Sequence, residues 1–438
     1  MRRLLYQALL KWKKDKNKKP LLLQGARQVG KTYLVTEFAK NEYENFVYLN
    51  FEEDKNLATL FEDSLNAKSL LENISIYIGR GINIENTLVF FDEVQAVPDV
   101  LTSLKYFYEQ LPELHIIAAG SLLGVSVARH RSFPVGKVTF LTLYPMTFYE
   151  YLEAFSEELL VEKIKSLKKI EPLPEVIHKK LLKHLSKYLF LGGMPEVLKT
   201  YRETLDMSLA RKVQIDILKA YERDFSKYSE KRKAIKISEL WQSVPFQLSR
   251  ENKKFKYKDV KKGGRASKYE FGIEWLRKAG LIHIAYNLKT PKFPLKAYAE
   301  FSKFKIYLLD TGLLGAMFNL QPRIIIKPLD LFKEFYGAFI ENYTAMELVS
   351  NFESELYYWT SNSEAEVDFI LQTENMILPL EVKSGMNRNI KSLRSYYDKY
   401  HPEFIIRTSP RNLIRDSEFI NIPLYLVGSL YSILKTIL

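Results

Sequence analysis

Gly25-Ala26-Arg27-Gln28-Val29-Gly30-Lys31-Thr32 carries the spacing G-x-x-x-x-G-K-[ST], with every fixed position filled. Leu21, Leu22 and Leu23 lead into it as a buried strand, and Tyr33 to Lys40 lead out of it as a helix. A chain that turns this way between strand and helix aims successive backbone N–H groups and a helix N-terminus at one point, which suits an anion. Lys31 adds a mobile positive charge for β- and γ-phosphates, and the Thr32 hydroxyl can ligate Mg²⁺. The stretch from Gly25 to Thr32 therefore predicts a bound nucleoside triphosphate with its divalent ion.

Further strands bring carboxylates and a hydroxyl beside that loop. Phe46-Val47-Tyr48-Leu49-Asn50 reads as one strand, and Leu88-Val89-Phe90-Phe91-Asp92-Glu93 as another, four apolar residues closed by two acids. A strand buried on both faces is apolar throughout, so an acid at its carboxyl end emerges at the mouth of the sheet. In this Walker B pattern Asp92 is expected to hold Mg²⁺ and Glu93 to orient or deprotonate the attacking water. His115-Ile116-Ile117-Ala118-Ala119 gives a strand ending at Gly120-Ser121, and Ser121 is the candidate sensor of the γ-phosphate. Lys137 to Leu143 gives a fifth strand, stopped by Tyr144-Pro145. Strands alternating with helical stretches imply a doubly wound α/β sheet. Past Ser121, Arg129 and Arg131 flank His130; one arginine either reaches a neighbouring subunit's γ-phosphate as an arginine finger or serves only surface solubility.

With 438 residues, the chain is too long for one ordinary core. Hydrophobic residues make up 47% and aromatics 13%, which fits folded domains and excludes a disordered chain. The longest apolar runs, Leu88 to Phe91 and Ile116 to Ala119, are far too short to span a bilayer, so no membrane is expected as a partner. Arg2 and Arg3 are followed by no secretory apolar run, and no signal peptide is expected. The absence of cysteine excludes disulfides and Cys-based zinc sites and fits a cytoplasmic protein. A net charge of +13 attracts polyanions: nucleic acid, an acidic surface, or the nucleotide itself.

Beyond residue 155 the pattern changes. Residues 156–189 are rich in Lys, Glu and Leu, interrupted by Pro172 and Pro174, and read as two helices of a connector or lid. Ile235 to Val244 reads as a helix, Tyr257-Lys258-Asp259-Val260 starts a second, and Ser267 to Ala279 is a third with Tyr269, Ile273, Trp275 and Leu276 on its apolar face. Gly280 caps it, and the strands Leu281 to Tyr286 and Lys305 to Leu308 follow. Three helices and a β-hairpin are the winged-helix arrangement, whose third helix often enters the major groove. Lys253, Lys254, Lys256, Lys258, Lys261, Lys262, Arg265 and Lys268 fall within sixteen residues, interleaved with Phe255 and Tyr257. Such a patch either binds phosphates with strong salt dependence or is the solvated face of a protein-binding winged helix.

The last segment holds a second constellation. Leu331 to Val349 reads as a long helix containing Glu341, and Ala365 to Ile370 as a strand containing Asp368. Thirteen residues after Asp368 comes Glu381-Val382-Lys383, on the strand Ile377 to Lys383. An Asp, then Glu-x-Lys on an adjacent antiparallel strand, with a helical Glu upstream, resembles the PD-(D/E)xK nuclease fold. In that chemistry Asp368 and Glu381 bind Mg²⁺, Lys383 positions the water, and Glu341 completes the ligand shell. Period two puts Glu381 and Lys383 on one face. Either the cluster cleaves, or a relic of the fold keeps the charges as a salt-bridged core.

The whole run of motifs resembles the prokaryotic AAA-type P-loop ATPases fused to a C-terminal DUF4143-type domain. The matching stretches are GARQVGKT, LVFFDEVQ, AAGSLL, FPVGKV and LYPMTFYEYL, then LGGMPEVL at 191–198, YERDFSK at 221–227, FKIYLLDTGLL at 304–314 and EVKSG at 381–385. The resemblance implies ATP binding and hydrolysis with Mg²⁺; the preference for adenine comes from it alone. One departure is Gly136-Lys137, where such proteins commonly have Gly-Arg, which puts a fixed arginine sensor there in doubt. The expected architecture is an α/β multidomain chain: a P-loop NTPase domain with an AAA/RecA-like parallel sheet (1–150), a helical connector (151–231), a winged helix (232–325) and a nuclease-like α/β domain (326–438). The expected partners are ATP, with DNA or a protein as target, and other copies of the chain if a trans arginine is used.

Overall fold

A computed structural model describes the chain except residues 63, 122–135, 228, 251–253, 322–332, 353–354, 362–364, 387–389 and 436–438. Arg129, His130, Arg131 and Lys253 therefore lie outside the described residues. By contact the chain parts into two compact units, Arg2–Tyr144 with Lys278–Gly280, and Met1 with Pro145–Arg277 and Leu281–Leu438.

The first unit is built on five parallel strands, β1 (Leu21–Gly25), β2 (Asn45–Asn50), β3 (Thr87–Asp92), β4 (His115–Ser121) and β5 (Thr139–Thr142), in the order β2-β3-β4-β1-β5. Every residue of β3 is buried, as a central strand covered by helices on both faces demands. Leu22, Val89, Phe91, Ile116 and Ala118 pack one face with Val100, Leu104 and Phe107 of the helix Pro98–Gln110. β4 lies between β1 and β3, so the loop after β1 and the acid ending β3 flank the end of β4. Register pairs Gly25 with Ser121 and Asn50 with Asp92, and with Phe91 opposite Ala118 the β3 strand ends about two residues before Ser121.

The second unit begins with helices. Thr147 and Glu150 form a reciprocal capping box at the start of the helix Phe148–Ala154, and the Phe148 N–H also donates to Glu347 at 2.8 Å. Helices Glu158–Lys165 and Glu175–Leu191 follow, broken at Pro172 and Pro174 as the sequence suggests. Three of the motif stretches meet here: the Gly193 N–H donates to the buried Asp310 carboxylate at 2.6 Å, and the Met146 N–H donates to the Gly193 carbonyl at 2.7 Å. Burial raises the Asp310 carboxyl to about 6, against the backbone donors around it.

Helices Lys231–Ser249, Tyr257–Val260 and Ala266–Lys278 then lead into β6 (Ile282–Leu288) and β7 (Ala299–Leu308), an antiparallel pair. The first of these helices runs on through Pro245, five residues beyond the expected end. Tyr269, Ile273, Trp275 and Leu276 are buried on the third. The hairpin, however, is no free wing. β6 also pairs in parallel with β8 (Leu356–Thr360), which carries β9 (Glu366–Val367), giving the sheet β7-β6-β8-β9. A boundary at 325/326 would cut through this sheet; hydrogen bonding joins the segments on its two sides. A second mixed sheet, β10-β11-β12-β14-β13, comprises β10 (Phe369–Gln372), β11 (Ile377–Val382), β12 (Ile405–Ser409), β13 (Ile414–Asp416) and β14 (Phe419–Pro423). β10 and β11 are antiparallel, and β11, β12 and β14 run parallel. A bend at Asp368 separates β9 from β10 and hands the chain from one sheet to the other.

Candidate functional site

Backbone conformation shapes the first site. Gln28 and Gly30 have φ of 65° and 94°, and a Cβ at Gly25 would stand 2.3 Å from the Leu143 carbonyl oxygen. Only glycine tolerates the second constraint without displacing β-sheet backbone. Gly30 caps the helix Lys31–Glu42 with no side-chain acceptor, so the first-turn N–H groups are not taken by a side-chain cap. Between the glycines, Val29 is buried and its carbonyl accepts from Arg3 at 2.7 Å; the same guanidinium reaches the Tyr144 carbonyl at 2.6 Å. Arg3, which the sequence shows only as a basic residue near the N-terminus, thus ties the loop to the end of the sheet. Arg27 pairs with Glu52 at 3.8 Å, and Gln28 is exposed along with Thr32. Ala26 is buried.

Lys31 folds over its own loop. Its ammonium donates to the Gly25 and Ala26 carbonyls at 3.1 and 3.0 Å, and burial lowers it to about 8, although Glu93 and Asp92 pull the other way. The Thr32 hydroxyl donates to the Asp92 carboxylate at 2.7 Å, and Tyr48 donates to the same oxygen at 3.2 Å. Burial raises Asp92 above the ordinary carboxylate range, partly offset by the Thr32 bond. Tyr48 in turn is pushed up to about 12 by burial and by Asp92. Glu93 leaves the strand with φ 53°, half-buried, and accepts a hydrogen bond from Gln95. Ser121 is buried level with Gly25. A hydroxyl and a carboxylate in contact are the hard oxygen donors Mg²⁺ takes, so these residues fit the ion. Lys137 stands on Glu109 at 3.2 Å.

The C-terminal acids come together around a residue outside their motif. Lys305, on β7, is fully buried and lies 2.6 Å from Glu366, 3.1 Å from Glu341 and 3.8 Å from Asp368. Burial works against its charge, but those carboxylates outweigh it and hold the ammonium above the usual lysine range. Tyr307, two residues on and on the same face, donates to Glu341 at 2.6 Å. Asp368 accepts from the Val382 N–H at 2.8 Å, which sets it level with Glu381. Glu381 is buried, pairs with Lys383 at 2.8 Å and neighbours Arg407 across β11 and β12; burial raises its carboxyl despite both cations. Among the described residues no three His, Cys, Asp or Glu side chains are arranged to hold a metal ion. The motif alone could not reveal Lys305; its one signal is a lysine inside the apolar strand Phe304-Lys305-Ile306-Tyr307-Leu308.

Of the basic run, Lys258, Lys261, Lys262, Arg265 and Lys268 are exposed, whereas Lys254 and Lys256 are half-buried. Lys261 is paired with Glu239 at 2.7 Å, and the Lys256 N–H donates to Gln247. No described helix is long and apolar enough to cross a membrane.

Family models match three stretches: an AAA domain over residues 17–152, a domain of unknown function (DUF8612) over 182–323, and a domain of unknown function (DUF4143) over 336–426. No curated protein matches the chain in sequence. Among solved structures, the Walker-type ATPase PABY2304 of Pyrococcus abyssi aligns over 72% of this chain and 95% of its own, at 16% identity and a TM-score of 0.44. The Aeropyrum pernix ORC1 protein in complex with DNA aligns over 72% and 90%, at 12% identity and a TM-score of 0.29. Drosophila ORC bound to DNA aligns over 72% and 94%, at 15% identity and a TM-score of 0.29. With its phosphate loop, its five-stranded parallel sheet and these domain matches, the chain belongs to the AAA-type P-loop ATPases fused to a C-terminal DUF4143 domain.

Proposed function

We propose that the chain hydrolyses ATP with Mg²⁺ at the loop Gly25–Thr32 and couples its nucleotide state to DNA binding. The observation that carries the hydrolytic part is the 2.7 Å contact between Thr32 and Asp92 beside a lysine bonded to its own loop carbonyls. Thr32 and Asp92 would hold Mg²⁺, which when bound would supply Lewis acidity to the phosphates. Lys31 exchanges its carbonyl partners for phosphate oxygens, a stronger charge-assisted pairing. The loop N–H groups hold the remaining oxygens. Glu93, oriented by Gln95, takes a proton from water as its oxygen bonds the γ-phosphorus and the bond to the β–γ bridging oxygen breaks. Ser121 faces that phosphate from between the two Walker elements.

Support for DNA comes from the exposed Lys258, Lys261, Lys262, Arg265 and Lys268, gathered on and before the helix Ala266–Lys278. A second reading, a switch that binds a protein partner, is favoured by Phe246 and Phe271, which are 52% and 50% exposed beside Arg250 and Lys233. Glu93→Gln is expected to keep ATP binding and to slow hydrolysis by about 10²–10⁴-fold. Fluorescence anisotropy with duplex DNA separates the two readings. Salt-sensitive binding weakened by Lys262→Ala and Arg265→Ala supports DNA; no binding at low salt leaves the protein-partner reading.

A further inference from the structure

We propose that the Lys305 ammonium occupies the cation position of the C-terminal acidic cluster, so that the cluster keeps the outline of a metal-dependent nuclease site and takes no divalent ion. The residues there do not fit a metal. Glu341, Glu366 and Asp368 all converge on one nitrogen, at 3.1, 2.6 and 3.8 Å. The two shorter distances suit an ammonium donating hydrogen bonds and the third an ion pair, whereas Mg²⁺ demands oxygen ligands at about 2.0–2.1 Å in octahedral array. Protein donors also take acceptor positions on two of these carboxylates: Tyr307 on Glu341 and the Val382 N–H on Asp368. Tyr358 closes the far side, its ring 5.0 Å from the ammonium.

Glu381, the other ligand the motif would supply, stands between Lys383 at 2.8 Å and Arg407 on the neighbouring strand. Four carboxylates thus face three cations of the chain itself, and a divalent ion would enter beside a fixed, buried positive charge. Repulsion between such charges is large where water is excluded. Lys305 has no exposed surface through which to withdraw. Lys383, the residue expected to position water, is held on Glu381 instead. The inference is independent of the DNA reading above and stands or falls without it.

The test is a calorimetric titration of nucleotide-free full-length chain with Mn²⁺, in the wild type, Asp368→Asn, Lys305→Met and the double variant. The expected result is that Asp368→Asn changes nothing in the wild-type isotherm. Lys305→Met gains one Mn²⁺ site per chain, which the double variant loses, and Mn²⁺ raises the melting midpoint of Lys305→Met alone. A wild-type Mn²⁺ site that Asp368→Asn removes would overturn the proposal, as would a folded Lys305→Met without a new site. If Lys305→Met does not fold, the wild-type and Asp368→Asn pair decides by itself. Plasmid nicking in Mn²⁺ by the wild type, abolished by Asp368→Asn, would count equally against it.

Discussion

Lys31 and Lys305 are both buried lysines with carboxylates nearby, yet burial leaves them in opposite states. Lys31 bonds two neutral carbonyls and feels Asp92 and Glu93 only through space, so loss of water wins and its pKa falls to about 8. Lys305 touches its carboxylates directly, so attraction wins and its proton is held harder than in water. The first arrangement is built toward an anion. Its amides, hydroxyl and ammonium are preorganised for a ligand that the protein does not itself contain, and the strained backbone at Gln28 and Gly30 holds them there. The second arrangement already holds a cation, Lys305 standing among three of its acids, although the four carboxylates outnumber the three cations and the buried Glu381 Oε2 has no hydrogen-bond partner among the described residues. Binding sites and structural clusters use the same residue types; what separates these two is whether a cation of the chain is in direct contact with the acids.

The largest expected effect breaks the closed cluster. Lys305→Met keeps the length of the side chain but leaves Glu341, Glu366 and Asp368 without their cation. Removing one partner of a buried pair costs about 3–5 kcal/mol. Urea unfolding is expected to show a loss of that size; a loss under about 1 kcal/mol would mean that the cluster is not held by this ammonium.

Alkaline pH sharpens the comparison, because the two lysines respond with opposite sign. An unfolded lysine holds its proton to 10.5, whereas folded Lys31 releases it near 8. Between those values the unfolded chain binds more protons, so the Lys31 contribution makes stability rise with pH, by at most about 3 kcal/mol. Folded Lys305 keeps its proton beyond the unfolded value, so its contribution is full below 10.5 and is lost only as pH climbs above it. Urea midpoints at pH 8 and pH 10 are expected to differ less in Lys31→Met than in the wild type, with the nucleotide-free protein in both cases. Equal differences in the two proteins would show that folded Lys31 keeps its proton as far as an unfolded lysine does, so that burial does not lower it.

The same contrast explains what could be read without coordinates. Gly25 to Thr32 lie in eight consecutive residues, and Asp92 ends an apolar strand, so local pattern places the nucleotide site almost entirely. Arg3 and Tyr48 escaped because their roles arise from sheet order, which brings chain ends and edge strands to the loop. In the C-terminal segment the register of β10 and β11 sets Asp368 beside Glu381, as the antiparallel reading requires. Lys305 lies in the segment that reads as a wing, 36 residues before Glu341; the helix Lys333–Phe352 packs on β7 to join those two, and the pairing of β6 with β8 brings in β9 with Glu366. Hairpins are legible from neighbouring residues; a parallel pairing across some seventy residues leaves no local trace in either strand.

Lys383→Met carries the smallest effect and tests how far the closed state depends on each cation. Its ammonium is 34% exposed, so solvent screens the pair with Glu381, and a partly exposed ion pair contributes at most about 1 kcal/mol. Arg407, buried and fixed by its bond to Asn421 at 2.8 Å, still faces Glu381 after the change. Glu381, already raised by burial, would then rise further in pKa and take up a proton more readily than in the wild type. The expected outcome in urea is a loss within about 1 kcal/mol, several times smaller than for Lys305→Met. A loss equal to that of Lys305→Met would mean that the two lysines hold a single charge network, with Glu381 as costly to strand as the three acids around Lys305.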